Sequence, residues 1–348
     1  HGFGSAGRPL IGTCPALPMS RVDALPCLGA SRSEKRQTEW RKGVRVLVTG
    51  GAGFIGSRVT AAYLAAGYEV LVVDDLSHGQ RSNVPAGARF EELDIRNPVI
   101  EEILREFRPD VVNHHAAQVA VRDSIARPVY DADINVLGSL RLIEACRVVG
   151  VTKFIYSSSG GAAVGEPQYL PVDEQHPVLP LSPYGISKQT VEHYLRFYGQ
   201  THGLRYTVLR YANVYGPGQD AEGEAGVVAI FIRRMLADQE VVVYGDGQQT
   251  RDFVHVDDIV QGNMLALEHG DGGVYNLGTG QQTSINTIFS ELKHITDYGR
   301  APRHVPALPG EVRYICLDAG RAARELSWNA VMPLKEGLQQ TVAASAQV

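Results

Sequence analysis

The sequence predicts an α/β fold with a doubly wound parallel (Rossmann) sheet and a smaller mixed α/β C-terminal lobe. Patterns typical of strands and helices alternate from residue 44 to about residue 211, and such alternation gives a parallel sheet with right-handed crossovers. The first strand also leads directly into a glycine-rich turn at residues 49–56 and then into an apolar helix. Strand, glycine turn and helix in this order are typical of dinucleotide-binding α/β folds.

Successive strands and helices can be placed in this alternating part of the chain. Because ligands in such sheets bind beyond the carboxyl ends of the strands, we expect the loops after the strands to carry function. The predicted strands are 44–49, 70–74, 110–115, 153–158 and 206–211, the predicted helices are 55–66, 98–107, 129–149 and 182–202, and the loops are 49–56, 116–124, 157–166 and 212–226.

The alternation ends after Gly216, which predicts a second lobe. The later elements are predicted as a helix at about 226–237, a strand at 241–244, the segment 251–258 with a helix after it, a strand at 274–277, and helices near 318–326 and from 334. We therefore predict a poorly ordered extension at 1–43, an NAD-binding domain at 44–215 to which segments around 241–277 cross back, and a mainly substrate-binding lobe at 216–348.

Composition and charge exclude several classes of protein. The 348 residues carry a net charge of −5, which gives no cationic surface for nucleic acid or an anionic membrane. No run approaches the roughly 18 apolar residues that a membrane span needs. The four cysteines are scattered without metal-ligand spacing, as in proteins with reduced thiols. We therefore expect a cytoplasmic protein that binds no metal, nucleic acid or membrane.

The glycine turn reads Thr-Gly-Gly-Ala-Gly-Phe-Ile-Gly at residues 49–56. Its glycines let the backbone approach a pyrophosphate, which the N–H groups of the turn and the following helix can hold. The second strand ends in Asp74, 18 residues past Gly56. An acid at this position accepts the ribose hydroxyls and repels a 2′-phosphate, so NAD is predicted rather than NADP.

A second group of polar residues predicts the chemistry. Ser182 and Pro183 open a helix in which Tyr184 and Lys188 lie four residues apart and share one face. The charge of Lys188, together with the positive ring of NAD⁺, is expected to lower the phenol pKa from about 10 towards 7 and make Tyr184 a general base. A run of three serines at 157–159 ends the fourth strand beside it. Serine, tyrosine and lysine above a dinucleotide fold predict hydride transfer.

These motifs together resemble the extended short-chain dehydrogenase/reductase family, and within it the epimerases of nucleotide sugars. The resemblance implies NAD-dependent epimerisation at C4 of a sugar such as UDP-glucose or UDP-galactose, through a 4-keto intermediate. It covers about residues 44–340. The segments that carry it are 49–56, 157–159, 184–188, Leu-Arg-Tyr-Ala-Asn-Val-Tyr-Gly at 209–216 and Gly-Asp-Gly-Gln-Gln-Thr-Arg-Asp-Phe-Val-His-Val-Asp-Asp at 245–258.

The resemblance also implies which residues form the site. Ser159 would bond the hydroxyl at C4, Tyr184 would be the base, and Lys188 would bind the nicotinamide ribose. The implied cofactor-binding residues are Gly50, Gly53, Phe54, Ile55, Gly56, Asp74, Asp94, Ile95, Ala116, Ala117, Gln118, Tyr184, Lys188 and Tyr211, and the implied substrate-binding residues are Asn135, Ser159, Asn213, Tyr244, Arg251 and Ile315.

Several of these assignments have alternatives. Asn135, like Asn213, is expected to contact the substrate or its loops, and Tyr244 the uracil, but plain packing explains Asn135 and Tyr244 almost as well. Arg251 would pair with a diphosphate oxygen or with an acid of the fold, Asp257 or Asp258. Ile315 would gate the C2 substituent of the sugar. A one-residue slip in register would put Tyr314 at the gate instead.

Other functions remain open within the family. Dehydratases and decarboxylases typically carry an acid beside the serine run, whereas residues 160–163 here are Gly-Gly-Ala-Ala, which favours epimerisation. A glucuronate epimerase would need a cation near C6. A non-catalytic NAD-binding regulator is the remaining alternative, because two positions depart from the family pattern. The usual Tyr-Gly of the serine loop is Val164-Gly165, and an expected arginine is Leu308. Arg303 or Arg313 could take the place of that arginine.

A homodimer is expected from two helices with apolar residues beyond one face. Members of the family often pair through the equivalent helices into a four-helix contact. The helices are 129–149, with Leu140, Ile143 and Val148, and 182–202, with Val191, Leu195 and Phe197.

Overall fold

The computed structural model describes Gly2 and residues 43–221, 226–307 and 312–346, so the predicted extension at 1–43 lies almost wholly outside the described residues. The chain from residue 43 onwards belongs to one compact unit. Its strands are β1 Arg45–Thr49, β2 Glu69–Asp74, β3 Arg89–Glu92, β4 Val111–His114, β5 Lys153–Ser159, β6 Arg205–Tyr211, β7 Asn213–Tyr215, β8 Val242–Tyr244, β9 Thr250–Arg251, β10 Phe253–His255, β11 Gly273–Leu277, β12 Thr283–Ser284 and β13 Arg303–Val305.

Helices connect and cover these strands. One of them is interrupted by a π-helical turn at Asp133–Gly138, which joins α4 to α5 without a break. The helices are α1 Phe54–Ala65, α2 Ile100–Phe107, α3 Val121–Ala126, α4 Pro128–Ala132, α5 Ser139–Val149, α6 Gly160–Val164, α7 Pro183–His202, α8 Val227–Leu236, α9 Val256–Ala266, α10 Ile285–Thr296, α11 Gly320–Leu326 and α12 Leu334–Ser345.

Seven strands form one parallel sheet in the order β11-β6-β5-β4-β1-β2-β3. The order runs outwards in both directions from β1 and β4, which confirms the predicted doubly wound sheet. Successive side chains of a strand point to opposite faces, so Leu47 packs on one side and Val46 and Val48 on the other. The first side carries Leu104, Leu142 and Leu195 from α2, α5 and α7, and the second carries Val59 and Ile259 from α1 and α9.

A third apolar cluster lies among the later elements. Phe231 of α8, Ile288 of α10 and Leu338 of α12 pack together in it with Val243 of β8. Short strand pairs accompany it: β7 with β10, β8 with β13, and β9 with β12. The predicted division into lobes at 44–215 and 216–348 stays a prediction, since the chain from residue 43 onwards belongs to one compact unit.

A strand and a helix are among the elements that were not predicted. The strand β3 has the sequence Arg-Phe-Glu-Glu and lies at the edge of the sheet, where a strand needs no continuous apolar run. The helix α10 falls in a part of the chain where the sequence reasoning placed no helix. Its buried residues nevertheless show helical spacing: Ile285, Ile288, Phe289 and Leu292.

The apolar residues chosen for the dimer contact are only partly available. Ile143, Val191 and Leu195 are buried in the core of this chain, so that part of the expectation is wrong. They fill the layer between the sheet and its helices, as core-facing positions of a helix do. Val148 and Phe197 are exposed.

Neither a membrane span nor a metal site is found in the described part of the chain. Each helix there is too short or too polar to cross a bilayer. His, Cys, Asp and Glu side chains of these residues form no group of three that could hold a metal ion. Cys146 and Cys316 are buried free thiols.

Candidate active site

The glycine turn after β1 closes tightly on itself. Gly50 has a φ of +70°, and a Cβ atom on it would lie 2.6 Å from a backbone nitrogen of the loop after β4. A Cβ on Gly56 would lie 2.2 Å from the carbonyl oxygen of Gly50, so both positions need glycine. Gly53 begins α1 without a side-chain cap, which leaves the N–H groups of Phe54 and Ile55 without a partner inside the helix. A pyrophosphate fits this cradle.

The carboxylate at the end of β2 supports the same turn. Asp74 accepts a 2.9 Å hydrogen bond from the N–H of Ala52 in the turn and another of 2.9 Å from the N–H of Leu76. Burial raises the pKa of the Asp74 carboxyl above its ordinary value, and these two bonds oppose the rise. A carboxylate has about four acceptor positions, so about two remain for ribose hydroxyls. The geometry is compatible with the role predicted for Asp74.

The two predicted neighbours of the adenine lie after β3. Asp94 forms an ion pair with Arg96 at 2.5 Å, and this hydrogen-bonded cation lowers the pKa of the Asp94 carboxyl. Ile95 is buried against the π-helical turn, where a Cβ on Gly138 would lie 2.9 Å from Ile95 Cδ1. The charge of Asp94 is thus already balanced within the fold, and the adenine contacts of both residues stay predictions.

The loop after β4 is held by hydrogen bonds from two sides. Thr49 Oγ1 accepts a 3.2 Å bond from the N–H of Ala116. Asn135 clamps Gln118, accepting from its N–H at 2.8 Å and donating to its carbonyl oxygen at 2.9 Å. These bonds hold the loop that is predicted to run beside the cofactor, and a contact of Asn135 with the substrate or its loops stays a prediction. The cofactor neighbours predicted in this loop are Ala116, Ala117 and Gln118, and the side chain of Gln118 bonds the backbone of Ala120.

Tyr211, the last residue of β6, belongs to a buried polar network. Its hydroxyl donates to Asn263 Oδ1 at 3.2 Å, and its ring stacks on His115 with 6.2 Å between the ring centroids. Burial raises the pKa of Tyr211 well above its ordinary value, so the phenol stays neutral. Its contact with the cofactor stays a prediction.

Helix α7 begins where the sequence predicts. Ser182 caps it by accepting a 3.2 Å bond from the N–H of Gly185, and Pro183 occupies the first helical position. Tyr184 and Lys188 consequently lie one turn apart on the same face, with Lys188 Nζ 5.8 Å from the centroid of the Tyr184 ring. The predicted cap and the predicted proximity of the two side chains are confirmed.

Ser159 meets this pair from the end of β5. Its Oγ caps α6 by accepting a 3.3 Å bond from the N–H of Ala162, and its hydroxyl lies near enough to the phenol of Tyr184 to lower the pKa of that group. Lys188 Nζ donates a 2.9 Å bond to the carbonyl oxygen of Ser157 in the same strand. The three side chains predicted to be catalytic are thus brought together at the carboxyl end of β5.

The expectation that Lys188 lowers the pKa of Tyr184 is wrong for the protein by itself. The pKa of Tyr184 rises to about 12, through burial first and the charge of Asp131 second, although the nearby hydroxyl of Ser159 lowers it. The pKa of Lys188 falls to about 8, because burial outweighs the nearby charges of Asp131 and Glu192. Burial therefore dominates both groups, which the sequence pattern did not indicate.

Three residues around this set were not found by sequence reasoning. Asp131 is fully buried and hydrogen-bonded to α7. A Cβ on Gly185 would lie 2.2 Å from the carbonyl oxygen of Ala162, so glycine is needed where α7 meets the serine loop. Asp252 is buried and accepts bonds of 2.8 to 3.1 Å from three backbone N–H groups. Gly185 and Asp252 lie inside recognised motifs, which is the signal that could have identified them.

The predicted substrate residues lie on separate short strands. Tyr244, at the end of β8, is 39% exposed, and the guanidinium carbon of Arg122 lies 5.7 Å from its ring centroid. This exposure is unlike that of a residue used only for packing. Arg251 of β9 donates a 2.8 Å bond to the carbonyl oxygen of Thr250, and Asn213 is exposed at the start of β7.

The predicted gate residue lies behind the serine loop. Ile315 is buried in an apolar cluster with Val164 and Leu317, whereas the adjacent Tyr314 is 41% exposed. Val164, which stands where the family pattern has tyrosine, therefore has a packing role in this chain. The geometry leaves both Ile315 and Tyr314 beside the predicted site, and the gating role of Ile315 stays a prediction.

The two arginines considered as replacement diphosphate ligands both form ion pairs at the surface. Leu308, the departure from the family pattern, lies outside the described residues. Arg303 forms an exposed ion pair with Glu240 at 2.6 Å, and Arg313 forms one with Asp246 at 2.8 Å. Exposed pairs of this kind contribute about 1 kcal/mol or less, so either arginine could exchange its partner for a phosphate.

The cradle for a pyrophosphate and the serine–tyrosine–lysine set lie at the same edge of one parallel sheet. Together they define a dinucleotide-dependent enzyme of the extended short-chain dehydrogenase/reductase class. The model of the NAD dependent epimerase/dehydratase family matches residues 46–278, and the chain belongs to this family. Membership makes NAD the cofactor, in agreement with the prediction from Asp74.

Relatives of known name match almost the whole described chain. A putative UDP-glucose 4-epimerase of Methanocaldococcus jannaschii is 44% identical over 297 residues, 85% of this chain and 97% of the relative. The UDP-glucose 4-epimerase of Thermotoga maritima, solved with UDP-glucose, is 48% identical with a TM-score of 0.87 over 87% of this chain and 99% of its own. That of Thermus thermophilus, solved with NAD, is 42% identical with a TM-score of 0.82 over 86% and 98%.

Proposed function

We propose that the protein is a UDP-hexose 4-epimerase that interconverts UDP-glucose and UDP-galactose. The observation that carries this proposal is that Ser159, Tyr184 and Lys188 come together at the carboxyl end of β5, where Lys188 Nζ lies 5.8 Å from the ring centroid of Tyr184 and donates to the carbonyl oxygen of Ser157. Similar proteins named UDP-glucose 4-epimerase cover the same length of chain. This function includes the predicted NAD-dependent step at C4.

The chain's own residues supply binding and proton transfer. When bound, NAD would supply the acceptor for a hydride from C4 of the sugar and the donor that restores it. Ser159 holds the hydroxyl at C4, and the phenolate of Tyr184 takes its proton. After the 4-keto sugar has turned its other face, Tyr184 gives the proton back. In the protein by itself burial keeps the phenol neutral, and the phenolate would form once the positive nicotinamide ring of bound NAD⁺ adds its charge to that of Lys188.

The cofactor residues follow from the cradle. The N–H groups at the start of α1 would hold the pyrophosphate, with Gly50, Gly53 and Gly56 giving the close approach. Asp74 would accept the ribose hydroxyls with its remaining lone pairs. Because each cycle regenerates the cofactor, we expect the enzyme to retain it through purification.

The substrate residues belong to the later part of the chain. Tyr244 is exposed and would lie against the uracil, and Arg251 would pair with a diphosphate oxygen. Asn213 would contact the substrate or its loops, and Ile315 would gate the C2 substituent. The region 216–348 would thus be mainly the substrate lobe, opposite an NAD-binding domain at 44–215.

The serine loop favours epimerisation over dehydration. Residues 160–163 form most of the short helix α6, which Ser159 caps, and none of them is acidic. A dehydratase or decarboxylase would need an acid there to assist the following step. Residues 160–163 therefore place no acid directly after Ser159, and the first acid of the loop is Glu166.

The decisive experiment is product analysis with three substrates. Purified protein is incubated separately with UDP-galactose, UDP-glucuronate and UDP-N-acetylgalactosamine, and the products are separated as intact nucleotide sugars. We expect UDP-glucose from UDP-galactose, and some turnover of the N-acetylated sugar because Ile315 is smaller than an aromatic residue. A preference above about 10⁴ in kcat/KM for the plain sugar would mean that the gate is closed. Turnover of UDP-glucuronate alone would overturn the proposal.

Cofactor retention is tested on the same preparation. NAD(H) extracted from denatured protein should approach one equivalent per chain. Stoichiometry near zero, with activity only on added NADP, would contradict the role assigned to Asp74.

We also propose a homodimer built on the exposed face of α7. Ile186, Tyr194 and Phe197 are exposed there. Val129 of α4 and Leu137 of the π-helical turn are exposed within 129–149, the other helix of the predicted contact. An apolar groove of about 620 Å³ also lies along residues 127–137. Sedimentation should give twice the chain mass of 37.8 kDa at micromolar concentration. A monomer alone would contradict the dimer.

A further inference from the structure

Asp131 is a fully buried carboxylate between two helices. It lies in α4, just before the π-helical turn that carries Asn135. Its Oδ2 accepts a 2.6 Å hydrogen bond from Ser187 Oγ, and its Oδ1 accepts a 3.0 Å bond from Asn135 Nδ2. Both donors are neutral. Burial raises the pKa of the Asp131 carboxyl, and these two hydrogen bonds and the charge of Lys188 oppose the rise.

One of these bonds reaches the catalytic helix. Ser187 directly precedes Lys188 and follows Tyr184 by three residues, so a bond to its side chain fixes the first turns of α7. The charge of Asp131 also acts on both neighbours: it raises the pKa of Lys188 against the effect of burial, and it raises the pKa of Tyr184. Asp131 therefore favours a cationic lysine and disfavours the phenolate.

The other bond reaches the loop after β4. Asn135 uses its amide to hold both the N–H and the carbonyl oxygen of Gln118, at 2.8 and 2.9 Å. The same amide donates to Asp131. One carboxylate thus joins the loop after β4, the π-helical turn and the start of α7 in a continuous chain of hydrogen bonds.

Other titratable groups face Lys188 and Tyr184 as well. Glu192 acts on Lys188 from the next turn of α7, but Arg210 balances its charge in a buried ion pair at 2.6 Å. His114 and His115 lie near Lys188, and burial lowers the pKa of both, so they are neutral near pH 7. The ring of Tyr156 lies 5.1 Å from Lys188 Nζ, and burial raises the pKa of its phenol.

We propose that Asp131 is a positioning residue for the proposed epimerisation, which fixes Tyr184 and Lys188 on α7 and supplies the negative charge that holds the lysine as a cation. The proposal rests on the proposed function for its effect on turnover. The hydrogen bonds of Asp131 and the protonation state of Lys188 can be examined whether or not the proposed function holds.

The test compares Asp131→Asn with Ser187→Ala. The first variant removes the charge, and the second removes one hydrogen bond while leaving the charge in place. For Asp131→Asn we expect both limbs of the pH–kcat profile to move to lower pH by about 1 unit or more, since both pKa values fall when a nearby negative charge is lost. For Ser187→Ala we expect kcat to fall about tenfold or more, through the loss of a bond to a charged group, with both limbs unmoved.

Controls separate this effect from folding. Asp123→Asn removes a half-exposed carboxylate from the neighbouring helix α3 and should leave the profile unchanged. Asp131→Glu restores the charge and should return the limbs to their original pH even if kcat stays low. If Asp131→Asn fails to fold, Asp131→Glu and Ser187→Ala still test the proposal. A pH–kcat profile that moves in either of these two variants contradicts it.

A second measurement does not depend on turnover. Titration of ¹³C-lysine in the holoprotein, with the Lys188 signal assigned by its loss in Lys188→Met, should show a pKa that falls in Asp131→Asn and stays in Ser187→Ala. If UDP-galactose is not epimerised but this shift occurs, the proposed function fails and the role of Asp131 stands. If turnover occurs and neither the limbs nor Lys188 shift in Asp131→Asn, Asp131 is merely structural.

Discussion

Two buried carboxylates lie along helix α7, Asp131 from α4 and Glu192 of α7 itself, and the fold satisfies them in different ways. Near its start, Asp131 accepts hydrogen bonds from the neutral side chains of Ser187 and Asn135. One turn further on, Glu192 accepts two bonds from the guanidinium of Arg210 and a third from Ser158 Oγ at 2.6 Å. No cation of the described residues is bonded to Asp131, so its negative charge acts on the proposed catalytic residues. The charge of Glu192 is balanced by Arg210 within the fold.

This difference separates a functional region of the helix from a structural one. A carboxylate paired with a guanidinium stabilises the native arrangement, and its charge is largely balanced by that cation. A carboxylate held only by neutral donors acts on its neighbours, and burial raises the pKa of Asp131 accordingly. We therefore expect changes at the start of α7 to affect turnover and changes around Glu192 to affect stability.

The largest effect on turnover should come from Tyr184→Phe. Removal of the phenol oxygen deletes the proposed base, and positioned acid–base groups typically contribute about 10²–10⁴-fold to the rate. We expect kcat to fall by that amount, while the thermal midpoint and nucleotide binding stay nearly unchanged. Steady-state kinetics with UDP-galactose and a melting curve measure both. A loss below tenfold would refute the assignment of the base.

The largest effect on stability should come from Arg210→Met. The change leaves Glu192 buried without its cation, which typically costs about 3–5 kcal/mol of unfolding free energy. Arg105→Met is the matched control, because Arg105 pairs with Glu101 on the surface of α2, where an i,i+4 pair contributes about 0.3–0.5 kcal/mol. Denaturant unfolding compares the two. Equal losses would show that burial does not distinguish these ion pairs.

Through Lys188, the free energy of unfolding should depend on pH. Its pKa is about 8 in the folded protein against about 10.5 unfolded, so the unfolded chain binds more protons between these values and the stability contribution of this group rises with pH there. Relative to Lys188→Met, the wild-type protein should gain about 3 kcal/mol of unfolding free energy from pH 8 to pH 10.5. Denaturation of both cofactor-free proteins at several pH values measures this. A difference that stays constant with pH would contradict a lysine whose pKa is lowered by burial.

The smallest effect should separate two helix caps. Ser182→Ala removes the cap of α7, and Ser284→Ala removes the equivalent cap of α10, where Ser284 Oγ accepts a 3.0 Å bond from the N–H of Thr287. Each loss costs about 1 kcal/mol of stability. Only Ser182→Ala should also lower kcat, because its helix carries the proposed base. Equal kcat values in the two variants would mean that the start of α7 needs no such support.

Local spacing explains what the sequence could predict of the site. The glycine turn at 49–56 and the pair Tyr184 and Lys188 each depend on residues within two helical turns of one another, so their patterns are visible in the chain itself. The parallel sheet, the family and NAD as cofactor followed from these patterns and are confirmed. The helix cap by Ser182 is equally local.

Distant contacts explain what the sequence could not predict. Asp131 meets Ser187 across 56 residues, so no motif announces their hydrogen bond. The pKa of Tyr184 depends on burial by the whole fold, which a charge four residues away does not reveal. Ile143 and Leu195 were assigned to a dimer contact because a helix pattern does not tell a core face from a partner face. The helix at Ile285–Thr296, in contrast, had visible spacing and was overlooked.

The hydrogen bond from Ala52 to Asp74 limits how this enzyme can be redesigned for another coenzyme. The usual strategy replaces the acid after the second strand with a small or basic residue, so that a 2′-phosphate is no longer repelled. Here the same carboxylate also anchors the backbone of the turn that is proposed to hold the pyrophosphate. Selectivity and grip are therefore linked at one side chain, and a coenzyme exchange needs a second change that restores an acceptor for that N–H.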